Sequence, residues 1–154
     1  MVEGDFVLDG YAFGSPDSDV IVLQDGFNTG TAGNRTQDAA MPRADGVLFG
    51  RDYLDSPTWA FTLGVRGDAY EALTELATVW RADHIRTTPG AVSTLRFMRG
   101  GKEYVVFGRP RRFAVVGAPV ASDDWQTVEA DFKLLDPYVY SGDEQTLSMG
   151  LVED

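Results

Sequence analysis

A chain of 154 residues, 44% hydrophobic and 12% aromatic, has enough apolar surface to bury a core without staples, so disorder is excluded as its ground state. It contains no cysteine, which excludes disulfide scaffolds and thiolate metal sites. A net charge of −11 and a pI near 4.4 oppose a broad nucleic-acid-binding surface, and no apolar run is long enough to cross a membrane as a helix.

In chain order, residues 1–5 are acidic and carry no basic-then-apolar secretory signal. Residues 5–8 and 11–13 read as short strands around Asp9-Gly10, a favoured hairpin turn. Residues 19–24 contain the β-branched run Val20-Ile21-Val22-Leu23, of strand length. Residues 26–46 change character: Gly, Asn, Thr, Asp, Ala and Pro dominate, with Phe27 and Met41 as the large apolar side chains. A structureless loop of that length is uncommon in a compact domain, so the segment is expected to be an arm, a long hairpin that orders on a neighbouring subunit.

Residues 58–65 alternate Trp59, Phe61, Leu63 and Val65 with smaller or polar residues, the pattern of a strand with one buried face. Gly67 breaks it, and a helix is expected over residues 68–84. Asp68 and Glu71 form a capping-box-like start, and Tyr70, Leu73, Leu76, Ala77 and Trp80 make one apolar stripe. Strands return at 93–99, with Leu95 and Phe97 inward, and at 103–109 across the turn Arg99-Gly100-Gly101-Lys102. A separate strand, 111–116, is expected after Pro110, with Phe113 and Val115 on one face. Residues 125–135 alternate Val128, Ala130, Phe132 and Leu134 with charged or polar residues until Asp136-Pro137 stops them. The expected fold class is mainly β (α+β): a β-sandwich or partly rolled sheet with one packed α-helix and a long hairpin arm. Its core is predicted to hold Trp59, Phe61, Leu63, Leu73, Leu76, Trp80, Phe97, Val106, Phe113, Val128 and Phe132.

The sequence carries few motifs for chemistry. His84 is the lone histidine, and no Gly-x-Ser-x-Gly elbow supplies a nucleophile for it. Asp17/Asp19 and Asp123/Asp124 lack the spacing of a calcium loop. Glu129 and Asp131 share a strand face with Lys133, which reads as an exposed charged face rather than a glycosidase pair. No phosphate-cradling motif occurs. The expectation is a protein that is not an enzyme, with no catalytic residue, no cofactor and no metal site.

Three stretches carry a family resemblance. The first is the polar loop running into Pro42-Arg43-Ala44-Asp45-Gly46-Val47-Leu48-Phe49-Gly50 and then Trp59-Ala60-Phe61-Thr62-Leu63-Gly64-Val65. The second is the helix over residues 70–82, followed by the hairpin Leu95-Arg96-Phe97 and Tyr104-Val105-Val106-Phe107. The third is the long alternating segment from Trp125 to Leu135 that ends on Asp136-Pro137-Tyr138-Val139-Tyr140. In order and spacing they resemble the N-terminal ring-forming domain of siphophage distal tail proteins, over most of residues 1–140. The resemblance implies a hexameric ring of identical subunits at the virion tail tip, assembled in the host cytoplasm. Its partners would be the tail tube protein above and the tail hub or tail-associated protein below, with DNA only passing through the channel and no membrane involved. It also implies that residues 141–154 are a C-terminal extension and the root of a further domain, since Leu147, Met149 and Leu151 alternate as a strand would. Two other roles fit the sequence: a tail tube or tail-completion subunit, and a carbohydrate-binding adhesion module with Trp125 as its aromatic platform.

Charge adds an expectation about assembly. Glu3, Asp5, Asp9, Asp17, Asp19 and Asp25 make the N-terminal region acidic, whereas Arg96, Arg99, Lys102, Arg109, Arg111 and Arg112 make residues 96–112 basic. Unlike surfaces suit a head-to-tail ring, unless the basic stretch pairs within its own subunit. The candidate interface residues are Asn28, Asn34, Arg35 and Arg43 on the arm, with Arg96, Arg99, Lys102, Arg111 and Arg112 in the basic stretch.

Overall fold

The computed structural model describes residues 4–66, 69–116 and 125–141. Its elements are β1 (Phe6–Leu8), β2 (Tyr11–Phe13), β3 (Val20–Asn28), β4 (Asn34–Arg35), β5 (Ala39–Ala40), β6 (Val47–Leu48), β7 (Tyr53–Leu54), β8 (Thr58–Arg66), α1 (Ala69–Arg81), α2 (Asp83–Arg86), β9 (Ser93–Arg99), β10 (Lys102–Val116), β11 (Trp125–Leu134) and β12 (Tyr140–Ser141). One antiparallel sheet runs in the order β2-β1-β9-β10-β11-β8-β3, with β12 added to β10. Its two edges meet where Gly14 N donates to Val20 O at 2.8 Å, so the sheet is a nearly closed roll. Of the two architectures expected, the partly rolled sheet is the one formed.

Alternation explains the roll's interior. Trp59, Phe61, Leu63 and Val65 of β8 face inward beside Val128, Ala130, Phe132 and Leu134 of β11. Register places Phe61 opposite Ala130 and Trp59 opposite Phe132, so the inward faces of the two strands form one packed layer. Phe6 of β1 lies opposite both Phe13 and Phe97. The Asp9-Gly10 turn has φ of 48° and 90°, the left-handed pair that a tight hairpin requires. Helix α1 buries Ala72, Leu76 and Trp80 against this interior. Trp80 meets Phe13 and Phe61 edge-on at 6.4 and 6.0 Å, and its indole N–H donates to Asp131 O at 3.0 Å, so its one polar atom is satisfied. All the predicted core residues lie in or against this cluster, with Leu73 and Phe113 only partly covered.

Four expectations change. Strand β3 runs on to Asn28, and Phe27, expected in the loop, packs on Phe61 and Trp59 with centroids 5.0 and 5.2 Å apart. A register shift between Val22 and Phe27 turns it inward. Strand β10 does not stop at Pro110. A second shift, between Pro110 and Phe113, carries the strand past the missing N–H and sets Phe113 and Val115 opposite Ala130 and Val128, on one face as expected, with Val115 exposed near the strand's end. Helix α1 ends at Arg81, because Ala82 turns left-handed at φ 43° and begins the single-turn α2. Phe6, Leu8, Phe13 and Val20 join the core from the N-terminal strands, which were too short to show a reliable phase. The expected strand breaker Gly67 and N-cap Asp68, the side chain of Tyr70, and the strand-like residues 147–151 lie outside the described residues.

Candidate functional site

Two features leave the roll with surface that it does not cover itself. The first is the arm. It is a hairpin, as expected, but it extends through Leu54 rather than ending near residue 46. Two short ladders build it, Asn34↔Leu54 with Arg35↔Tyr53, and Ala39↔Leu48 with Ala40↔Val47. At the tip, Arg43 and Gly46 take φ of 64° and 111°, and Met41 N reaches Gly46 O at 3.4 Å. Polar contacts brace the shaft. Arg35 Nε pairs with Asp55 Oδ1 at 2.7 Å, and the guanidiniums of Arg35 and Arg51 lie 5.6 and 5.0 Å from the Tyr53 ring centroid. Asp38 Oδ1 accepts from Gly50 N at 3.3 Å. A Cβ at Gly50 would stand 2.3 Å from Gln37 O, so this close approach of the two strands requires glycine. Val47, Leu48 and Leu54 are exposed, and Phe49 is 87% exposed.

The second feature is an open mouth at the arm's base. A cavity of about 560 Å³ opens there, walled by Phe27, Trp59, Phe97, Tyr104 and Leu134, with Arg99 as the one charged residue among the described residues that line it. Gly30, Ala32 and Pro57, where the arm leaves and rejoins the roll, form one side. Pro137 and Val139 form another, beside the exposed Tyr138.

The predicted interface residues do not converge. Asn28 ends β3 and its Oδ1 accepts from Gly30 N at 2.8 Å, shaping the arm's exit. Asn34 and Arg35 lie on the shaft and Arg43 at the tip. The basic stretch is spread along β9 and β10. Arg99 and Lys102 face each other at the hairpin turn, whereas Arg111 lies nine residues further, roughly 30 Å of strand away. Much of the stretch is engaged within the subunit. Arg96 Nη1 lies 3.5 Å from Glu103 Oε1, and Arg112 Nη2 lies 3.1 Å from Glu129 Oε2. Arg109 donates to the carbonyls of Ala91 and Thr88 at 2.7 and 2.8 Å, holding the loop between α2 and β9. Arg99, Lys102 and Arg111 form no ion pair among the described residues. The acids are likewise dispersed; Asp9 Oδ1 accepts from Thr94 N at 2.9 Å, tying the first turn to β9.

His84 is exposed on α2, where its carbonyl accepts from the Thr88 hydroxyl. Asp83 on the same turn receives Arg81 at 2.6 Å and Arg86 at 2.7 Å, and these hydrogen bonds hold its carboxyl down at about 2. Burial, with Glu75 and Asp19 nearby, pushes the Tyr11 phenol up to about 12. Glu129 is occupied by Arg112, and Lys133 Nζ donates to Ser56 O, so the β11 charges brace the sheet. Trp125 leans on the sheet at Gly64, where a Cβ would stand 2.4 Å from its ring. Among the described residues, no group of three or more His, Asp or Glu could hold a metal ion.

No protein-family model matches the chain, and no curated protein matches it. Solved structures do share its fold. One is the Dit (gp 19.1) protein of SPP1, a paradigm of the hub adsorption apparatus in phages that infect Gram-positive bacteria. It superposes with a TM-score of 0.64 at 12% identity, over 89% of this chain and 51% of its own. Another is the phage P2 baseplate in its activated conformation with Ca, with a TM-score of 0.56 at 12% identity, over 85% of this chain and 44% of that one. The chain therefore has the fold found in phage hub and baseplate proteins, in agreement with the resemblance read from its sequence. It spans about half the length of the solved chains it matches.

Proposed function

We propose that this chain is a structural subunit of a phage-type tail tip. In this reading six copies form a ring that joins the tail tube to the hub and adhesion apparatus and leaves a channel for DNA. The observation that carries the reading is a hub-type rolled sheet from which a hairpin arm projects with its apolar side chains uncovered. A monomer gains nothing by exposing Phe49, whereas a partner that covers it turns the same residue into binding energy. Arm and mouth are different surfaces, so contact between them is head-to-tail and closes into a ring where the rotation allows. The net charge of −11 suits a channel that lets phosphates slide without capture.

The charge expectation takes a narrower form. Arg96 and Arg112 serve their own subunit, which leaves Arg99, Lys102 and Arg111 as the cations available to a neighbour. A tail tube or completion subunit remains the second reading, because a head-to-tail contact that fails to close gives a stack. Trp125, resting against the sheet at Gly64, gives little support to a sugar platform.

The test is to replace residues 34–54 by a short Gly/Ser link. The hairpin is removed whole, and its connections at Gly33 and Asp55 are kept. The roll should unfold at an unchanged temperature under conditions where the parent is monomeric, and ring formation, followed by electron microscopy and sedimentation, should be lost. Normal rings from the armless chain would overturn the reading, and stacked tubes from the parent would favour the tube subunit.

A further inference from the structure

We infer that the arm's apolar tip docks, Phe49 first, into the open mouth of the roll in a second copy of this chain. The inference rests on the ring reading above and names the two surfaces that meet. The tip offers Val47, Leu48 and Phe49, all exposed. The mouth offers a cavity of about 560 Å³ with aromatic walls and Tyr138 on its rim, the kind of pocket that receives an anchoring side chain.

Geometry says why the occupant comes from another copy. Asp38, beside Phe49 across the hairpin, lies six residues beyond Ala32 on the mouth's edge. At about 3.3 Å per residue, up to roughly 20 Å of strand separates Phe49 from its own mouth. No residue between Ala32 and Pro57 lines that mouth, and Phe49 touches almost nothing of its own subunit. Donor and acceptor, at one end of the hairpin and at its root, do not meet within one chain. Between chains they repeat head-to-tail, and each contact covers both apolar surfaces at once.

Charge agrees. Asp45 and Asp52 flank the apolar tip, Arg99 rims the mouth, and none of the three has an ion pair among the described residues. Docking brings acids toward an unpaired guanidinium, which sets register while the apolar contact supplies affinity.

The chain has no cysteine, so engineered thiols report without background. Phe49→Cys and Val139→Cys are prepared as separate full-length proteins, mixed under mild oxidation, and run on a non-reducing gel. The expected product is the mixed dimer, well in excess of either homodimer. The double variant should give a ladder. Phe49→Asp should keep the parent's unfolding temperature and weaken association at least about tenfold, the loss expected of an interface anchor. Arg99→Glu should weaken it less, and only at low salt. Rings without the mixed cross-link would show that the tip docks elsewhere, which overturns the inference and leaves the ring reading standing. A parent that stays monomeric, with no cross-link, overturns both. A disulfide closed within one chain of the double variant also overturns the inference, because the tip would then reach its own mouth.

Discussion

The roll and the arm are made from similar residues put to opposite uses. Phe61 in the roll is 1% exposed and touches four other aromatic rings, while Phe49 in the arm is 87% exposed. The difference is one of layers. In the roll every strand from β2 round to β3 has neighbours on both sides, or a partner across the seam, and an interior to face. In the arm two-residue ladders have no second layer, so their side chains meet solvent whichever way they point. A two-stranded hairpin of this kind is marginal in water. What braces it here is polar: the Arg35–Asp55 pair, two guanidiniums on Tyr53, and the Asp38–Gly50 hydrogen bond. Apolar residues on such a scaffold are available for a partner.

The largest test of this contrast lies in the roll. Phe132→Ala or Trp80→Ala should lower unfolding free energy by about 3–5 kcal/mol, read from denaturant melts, because each leaves a cavity in a packed interior. Trp80→Ala should stand at the upper end, since it also strands an acceptor at Asp131 O. A loss under about 1 kcal/mol would mean that the interior is not the packed layer described.

The matching change in the arm should do almost nothing to a single subunit. Leu48→Ser, measured where the protein is monomeric, should stay within about 0.5 kcal/mol of the parent, as exposed positions do. A loss of 2 kcal/mol or more would place Leu48 in a core of its own subunit and erase the distinction between the two regions.

The smallest effect concerns the helix corner, where the roll, like the arm, is braced by exposed charge. Asp83 is depressed to about 2 by its hydrogen bonds from Arg81 and Arg86. A carboxylate so depressed contributes its stability above the unfolded value near 4 and loses it as pH falls through about 2. Solvent and salt screen so exposed a group, so the titration is the better readout. The Asp83 carboxyl should titrate by NMR near 2 in the parent and close to 4 once both arginines are changed to Gln.

Much of the roll was legible along the chain because burial on one face imposes a period. Trp59 to Val65 and Val128 to Leu134 alternate over enough residues for phase to be unambiguous, and Leu76 and Trp80 of the expected stripe are buried in the helix, although Ala72, left out of that stripe, is buried with them and Leu73 only partly. Where a bulge resets the phase, local pattern misled: it hid Phe27 behind a loop-like composition and split β10 in two at Pro110. The arm's existence showed in its lack of apolar residues, but its length did not. Val47, Leu48, Tyr53 and Leu54 read as the approach to a strand, and their pairing partners lie seven to twenty residues back.

By itself, then, the sequence determined the strand-and-helix order, the inward faces, the turns at Asp9-Gly10 and Gly100-Gly101, and the absence of thiol chemistry. Those follow from local preferences and from periodicity, which a single chain carries in full. Tertiary structure decided the rest: that the sheet closes on itself through Gly14 and Val20, that the basic stretch splits between internal pairs and two separated ends, and that a mouth opens at the root of the arm. Each depends on residues far apart in sequence becoming neighbours, and no period along the chain records that distance.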